Sequence, residues 1–337
     1  MKYDIKDKSV VCIFLVVLLS YLIPIYGYGD DSLALPKPLK GYYNIAVVGD
    51  PHLPGRHLLK KESAVDTINN QKDVDEVVVV GDLCETTGTK FEFNAARRFL
   101  TAFRKPLNVI NGNHDFVFAN KQSGQGHLSM AGKDERQTKL NRFRGTYGKL
   151  STDKVVRVKT TEGEYSYHLV FLGVDSLTSP YYCCLSEKTQ KWLKKSLEAH
   201  KDIPTIVFCH SPLWGKQVLS MNPKFAYYVT QPVDYMESLI KNDPTVFLWV
   251  AGHCHLGVNN PLATGKLNYF NKQVYTVNNC DLDGRSILAG MDINLEYHSD
   301  MWTKSLLLYP HKVVIKIYDH IAARWLDEKE QTIKVRR

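Results

Sequence analysis

Short apolar runs that stop abruptly at polar residues restrict this chain more than any other feature. "YNIAVVGDPH" ends in Asp50 and His52, "DEVVVVGD" in Asp82, and "PLNVINGNHD" in Asn113, His114 and Asp115. Further on, "PTIVFCH" ends in His210, and "TVFLWVAGHCH" in His253 and His255. Short β-branched and aliphatic runs bounded by glycine read as buried strands. Between the first three, residues 61–72 look helical, as does "KFEFNAARRFLTAF", with Phe91, Ala95, Phe99 and Phe103 on one side. This β-α-β-α-β order predicts an α/β domain with largely parallel strands.

The rest of the chain continues the alternation. "VVRVKT" and "YSYHLVFLGVD" read as paired strands, 187–200 and 233–242 as helices, and 116–150 as a polar, glycine-bearing stretch turning basic and helical. The tail is rich in strands: "KQVYTVN", "RSILAGMDI", "SLLLY" and "KVVIKIYDH". One domain over 41–325 with two sheets fits better than two separable domains, with 30–40 as a proline-bearing linker and 326–337 as a charged tail.

In an open α/β sheet, ligands bind in the crevice beyond the carboxyl ends of the strands. Each polar terminus alone is weak evidence. Asp after Gly is a common turn, and a lone strand-end His is more often a satisfied structural residue. HxH at strand spacing would turn both rings to one side. Taken together, Asp50, His52, Asp82, Asn113, His210, His253 and His255 offer two carboxylates, four imidazoles and an amide oxygen. That set exceeds one tetrahedral zinc. It suits two divalent cations about 3.5–4 Å apart, activating a shared water and clamping phosphate oxygens. Negative charge is needed between such cations, so one Asp is expected to bridge them. Imidazole with carboxylate favours Mn, Fe, Zn or Co over Ca or Mg. His114, next to the ligand Asn113, would stand beside the metals and protonate the departing alkoxide. Asp115 would fix its tautomer and raise its basicity.

The blocks D-x-H, GD, GNHD, a lone His after a strand, and GHxH span residues 49–255. In this order they resemble the calcineurin-like metallophosphoesterase superfamily. The resemblance implies two mixed β-sheets sandwiched between helices and a hydrolase acting on small phosphate esters. It assigns Asp50, His52 and His255 to one metal, Asp82 to the bridge, and Asn113, His210 and His253 to the other metal. It also implies His114 as leaving-group acid, with Asp115 as its partner. "GDLCETTG" departs from the "VDRG"-like stretch of the protein phosphatases, and Glu85 stands where purple acid phosphatases carry a Tyr ligand. The pattern is more similar to the phosphodiesterase branch, which takes cyclic nucleotides, glycerophosphodiesters and other small diesters. Hydrolysis of monoesters, nucleotides or lipid pyrophosphates is the alternative. A non-catalytic scaffold of this fold is a further one, but scaffolds usually lose ligands or the acid, and here every position is filled.

Weaker candidates surround these blocks. Arg56 and His57 could neutralise a substrate phosphate or form a solvated turn, and "KQSGQGH" (121–127) could form part of the rim. Trp214, Tyr227 and Tyr228 could stack a base or headgroup, or simply pack. Cys84, Cys209 and Cys254 adjoin ligand positions and read as small buried fillers.

Residues 9–29 carry no charge, follow three lysines and precede Asp30 and Asp31. This is the pattern of a signal peptide or an uncleaved membrane anchor that leaves the remainder extracytoplasmic. Six of the seven cysteines follow that segment, an even number that suggests disulfides in an exported chain, and no CxxC pair offers a cysteine metal cage. The net charge of +8 is scattered, so it favours anionic ligands without marking a dedicated nucleic-acid surface.

Overall fold

Alternation along each central strand sends side chains into two different cores. Ile45, Val47, Val78 and Val80 face Leu169, Phe171, Ile206, Phe208, Leu248 and Val250 in one apolar cluster. Their neighbours Ala46, Val48, Val77 and Val79 pack instead with Val65, Ile68, Phe93 and Phe99, which lie on helices. Strands buried on both faces explain why the runs are continuously apolar. The computed structural model describes residues 40–121, 128–213, 223–260, 268–270, 274–287 and 295–335. The segment read as a signal or anchor, Trp214, and residues 122–127 of the predicted rim loop lie outside them. Among the described residues no helix is long and apolar enough to cross a membrane.

Strands β1 (Tyr43–Val48), β2 (Glu76–Val80) and β3 (Leu107–Ile110) pair in parallel, with α1 (Leu58–Asn70) and α2 (Lys90–Thr101) as crossovers. Helix α3 (Lys133–Tyr147) leads to the second sheet. There β4 (Thr152–Thr160), β5 (Gly163–Leu172), α4 (Glu187–Ala199), β6 (Thr205–Cys209), α5 (Val233–Asn242), β7 (Val246–Ala251), β8 (Asn268–Phe270) and β9 (Val274–Asn278) follow in turn. A small antiparallel pair, β10 (Arg285–Ile287) with β11 (Leu295–Tyr297), comes next. The chain then returns to the first sheet as β12 (Trp302–Leu308), β13 (Lys312–Asp319), β14 (Arg324–Trp325) and β15 (Gln331–Lys334).

The strand orders are β14-β13-β12-β1-β2-β3, with β15 also on β13, and β4-β5-β6-β7-β9-β8. Both sheets are mixed. The parallel expectation holds for β1–β3 and for β5, β6, β7 and β9, but β12, β13, β4 and β8 run antiparallel. The fold is therefore α/β, two mixed sheets sandwiched between helices. The parallel strands of both sheets point their carboxyl ends to the polar termini read above.

Two sequence expectations change. Residues 326–337 are not simply a charged tail, because β15 pairs with β13 and buries Ile333 completely, between Thr332 and Lys334. Of the side read from Phe91, Ala95, Phe99 and Phe103, only Phe91 leaves the core. A repeat of four residues drifts around a helix of 3.6 residues per turn, so Phe91 is 66% exposed while Ala95, Phe99 and Phe103 are buried together with Phe93, Ala96 and Leu100.

Helix α2 opens on a capping box: the Thr89 hydroxyl accepts from the Glu92 amide, and the Glu92 carboxylate accepts from the Thr89 amide. Glu92 also accepts from the Thr86 amide and hydroxyl, ordering the loop after β2. Burial alone would raise the Glu92 pKa, but these hydrogen bonds hold it below the ordinary 4.5. Glu92→Ala is expected to cost about 1–3 kcal/mol in chemical denaturation at neutral pH. A depressed carboxyl contributes stability above its unfolded pKa and loses it as pH falls through the folded value. The gap between wild type and variant should therefore close below pH 4.5.

Candidate metal centre

Each predicted ligand sits just past a strand end, and five of the seven adopt a backbone conformation that L-residues rarely take. Asp50, His52, Asp82, His253 and His255 have φ of 36°, 43°, 47°, 65° and 46°. Such left-handed residues cost on the order of 1–3 kcal/mol each and persist only where the surroundings enforce them. Neighbouring glycines make room. A Cβ on Gly81, itself at φ 96°, would lie 2.5 Å from His210 Nδ1. A Cβ on Gly112 would collide with the Asp82 carboxylate.

The side chains converge in two groups that share Asp82. Donor atoms of Asp50, His52, Asp82 and His255 lie within 4.8 Å of one another. His52 Nε2 faces His255 Nε2 at 3.2 Å, and Asp82 Oδ2 lies 3.8 Å from His52 Nε2. On the other side Asp82 Oδ1 is 3.3 Å from His210 Nε2, which is 2.9 Å from Asn113 Oδ1. The His253 ring stands 4.7 Å from that of His210, and the His253 amide donates to Asp50 Oδ1 at 2.9 Å.

This donor set fits two cations. The Nε2 atoms of His52 and His255 face each other at 3.2 Å, close enough for both to ligate one cation. Three of the four rings have their far nitrogen engaged, which leaves Nε2 to point inward. His52 Nδ1 faces the Glu85 carbonyl at 3.3 Å, His210 Nδ1 the Val80 carbonyl at 2.9 Å, and His255 Nδ1 the Asp281 carboxylate at 2.6 Å. Metal-ligating histidines are oriented in this way. His253 Nε2 is buried without a partner. Glu85 thus serves through its backbone, and its side chain accepts from the Gly55 amide at 3.2 Å.

The electrostatics agree. Burial pushes Asp50 up to about 6 despite His210 and His255. Burial also opposes ionised Asp82, yet His210, His114 and His52 hold its carboxyl well below the usual range. Asp82 therefore stays anionic, and desolvation counts against the charged form of His210 less than Asp82 and Asp50 favour it, giving about 9. Burial, with neighbouring positive charge, drives His52 and His253 well below their ordinary value, so both rings are neutral donors.

His114 stands beside the ligands. Its amide donates to Asp82 Oδ1 at 2.9 Å, and its ring lies edge-on between His52 at 4.9 Å and Phe118 at 5.0 Å. Asp115 does not orient it. Both Asp115 oxygens are taken by backbone amides, Cys84 N at 2.9 Å and Gly112 N at 2.7 Å, and His114 Nδ1 has no partner. Asp115 instead staples the loop after β3 to the loop after β2, a correction to the orienting role read from sequence. Burial and the nearby Asp82 raise its pKa to about 7.

The GHCH block also differs from its strand reading. Strand β7 ends at Ala251, and the left-handed backbone at His253 and His255 sends the two rings to different groups. Cys183 is brought by tertiary contact within 4.8 Å of the His210 and His253 donors. Nothing in "YYCCLS" signals that proximity. The six described cysteines are free thiols, so the disulfides suggested by their number are not formed among them. Cys84, Cys209 and Cys254 are buried. Arg56 is exposed, with its amide donating to Asp283 Oδ1 at 2.8 Å, and His57 caps α1. Tyr228 stands 5.3 Å from His253, while the more exposed Tyr227 packs on Tyr181 and Tyr182.

A separate group, Asp153, His168 and His200, satisfies itself. His168 bonds Asp153 and Thr205 at 3.1 Å each, and the Ser196 hydroxyl donates to Asp153 at 2.6 Å. The two rings stack at 4.1 Å, so their in-plane lone pairs run side by side and do not converge on a cation. This cluster ties β4, β5 and α4 together.

Asp281 is a functional residue that sequence reasoning missed. Asp281→Asn is expected to weaken metal affinity roughly 10- to 100-fold, the usual effect of removing an outer partner of a ligating His. Competitive metal titration would measure it.

The family model for calcineurin-like phosphoesterase matches residues 43–257. Glycerophosphodiester phosphodiesterase GpdQ of Enterobacter lignolyticus is 26% identical over 181 residues, covering 54% of this chain and 56% of that protein. The match thus spans little more than half of that curated relative. A dimetal phosphatase from Danio rerio superposes with a TM-score of 0.54 at 14% identity, over 89% of this chain and 100% of that one. GAP50, described as the anchor in the inner membrane complex of Plasmodium, does so at 0.58 and 14% identity, over 88% of this chain and 90% of its own. At those identities the likeness is one of fold.

Proposed function

The chain belongs to the calcineurin-like phosphoesterase family, and on that premise we propose that it is a dinuclear metal-dependent phosphodiesterase. The observation that carries the proposal is Asp82, whose two oxygens face the two donor groups at 3.8 and 3.3 Å. Asp50, His52 and His255 would hold one cation and Asn113, His210 and His253 the other, with Mn, Fe, Zn or Co suited to such donors. Bound there, divalent cations supply Lewis acidity that lowers the pKa of a water and neutralises phosphate charge.

The chain's own groups do the rest. Asp82 keeps negative charge between the cations. Glu85, Val80 and Asp281 fix the rings of His52, His210 and His255. His114, set against His52 and Phe118, carries a proton to the departing alkoxide. The preference for diesters is supported by the likeness to the glycerophosphodiesterase and by the missing "VDRG"-like stretch. The uncharged segment 9–29 supports action outside the cytoplasm.

The test is hydrolysis of bis(p-nitrophenyl) phosphate against p-nitrophenyl phosphate by metal-stripped full-length protein, with Mn, Fe, Zn, Co and Mg returned singly. Metal-dependent turnover favouring the diester is the expected result. Preference for the monoester would shift the assignment to a phosphomonoesterase or nucleotide hydrolase of the same family. Absence of turnover with two ions bound would point to a scaffold or a narrow natural substrate.

A further inference from the structure

The loop after β9 closes over the first donor group and carries one more charged side chain to it. Asp281 accepts from the amides of Asp283, Gly284 and Arg285 through Oδ1, at 3.2, 2.9 and 3.1 Å. Its Oδ2 holds His255 Nδ1 at 2.6 Å. One carboxylate therefore fixes both a candidate ligand and the backbone of Arg285.

The Arg285 side chain is half-committed. Its Nε is ion-paired with Asp283 Oδ2 at 2.8 Å, yet neither Nε nor Nη2, both buried, has a hydrogen-bond partner. Asp283 is shared further, since its Oδ1 also pairs with the fully buried Lys61 and accepts from the Arg56 amide. Lys61 and Arg285 share the Asp283 carboxylate, while the neighbouring Asp281 is committed to His255 and to the turn amides. The Arg285 amide shares the Asp281 carboxylate with His255 Nδ1, so the turn that carries the guanidinium flanks the first donor group, and its positive charge opposes protonation of His52, His114 and His255.

Leaving a charged donor buried and unpaired is costly. An anion with a lone pair to spare at that position removes the cost. A guanidinium anchored through Nε still presents its Nη edge, and that planar fork matches a phosphate oxygen better than an ammonium would. We propose that Arg285 binds a non-bridging oxygen of the substrate phosphate at the first donor group, with Asp283 and Asp281 as its positioning residues. The inference rests on the phosphoesterase reading above. Arg285 lies outside the sequence motifs, whereas Arg56, which could neutralise a phosphate or form a solvated turn, donates its amide to the same Asp283 carboxylate.

The alternative role is a structural brace for the loop, and inorganic phosphate separates the two. Full-length, metal-loaded wild type, Arg285→Ala and Arg285→Lys are titrated with phosphate by calorimetry, with bound metal counted in each. Arg285→Ala should keep both metals and lose phosphate affinity roughly 10- to 100-fold. Added guanidinium should restore part of it. Arg285→Lys should fall between, because it keeps charge and loses the fork.

Unchanged phosphate affinity in either variant overturns the proposal. So does loss of metal or fold in Arg285→Ala accompanied by wild-type phosphate affinity in Arg285→Lys. Phosphate binding does not need turnover. If no ester is hydrolysed but the Arg285 variants still lose phosphate, the functional reading fails and the anion site stands.

Discussion

Asp82→Asn is expected to leave a folded protein that binds at most one divalent ion tightly and turns over phosphate esters more than about 100-fold slower, beyond the range for losing an outer-shell partner. The substitution keeps the size but removes the negative charge and turns one of the two acceptor oxygens into an NH2 donor. Asp82 lies between the Nε2 atoms of His52 and His210, at 3.8 and 3.3 Å. Two dications held within about 4 Å repel strongly. Without an anion between them, the second to bind pays that repulsion in full. Metal counting by elemental analysis, alongside steady-state rates at saturating metal, checks both halves of the expectation. Two tightly bound ions with normal rates would show that Asp82 is not the bridge.

The second large effect belongs to His114. His114→Asn should retain both metals and lower kcat by about 100- to 10,000-fold for esters with alkyl leaving groups, the range for general acid catalysis. An activated aryl ester should suffer much less, because nitrophenolate departs without a proton. This contrast tests the acid role and not mere occupancy of the site. Equal losses for both leaving-group types would make His114 a structural neighbour of His52 and Phe118. Asp115→Asn has a different expected signature. Its carboxylate accepts from Gly112 and Cys84 amides, so the variant should lose stability more than leaving-group selectivity.

The candidate ligand positions are legible because each is encoded locally. A buried parallel strand must end, and Gly81, Gly112 and Gly252 before Asp82, Asn113 and His253 mark places where backbone passes close to another ligand's side chain. Such pairs of glycine and polar residue can be read in a single run. What the sequence hid depends on contacts between runs. Asp281 reaches His255 because β9 lies parallel to β7 and Gly49 bridges Asp281 across the sheets' rim. Arg285 is then carried to the centre by a turn wound on that same carboxylate. Asp115 was assigned to His114 by adjacency, but backbone amides of its own and the neighbouring loop took both oxygens. Phe91 and β15 were misread for a simpler reason. A four-residue repeat drifts off a helix face, and one buried Ile333 between Thr332 and Lys334 gives little alternation to detect.

The most direct test of the dinuclear centre is a Mn(II) titration of metal-stripped, full-length protein followed by electron paramagnetic resonance. The structure predicts saturation at two ions per chain, with the spectrum of an exchange-coupled pair as expected for cations about 3.5–4 Å apart. Saturation at one ion, or two ions giving only isolated-Mn signals, would contradict a shared centre built on Asp82.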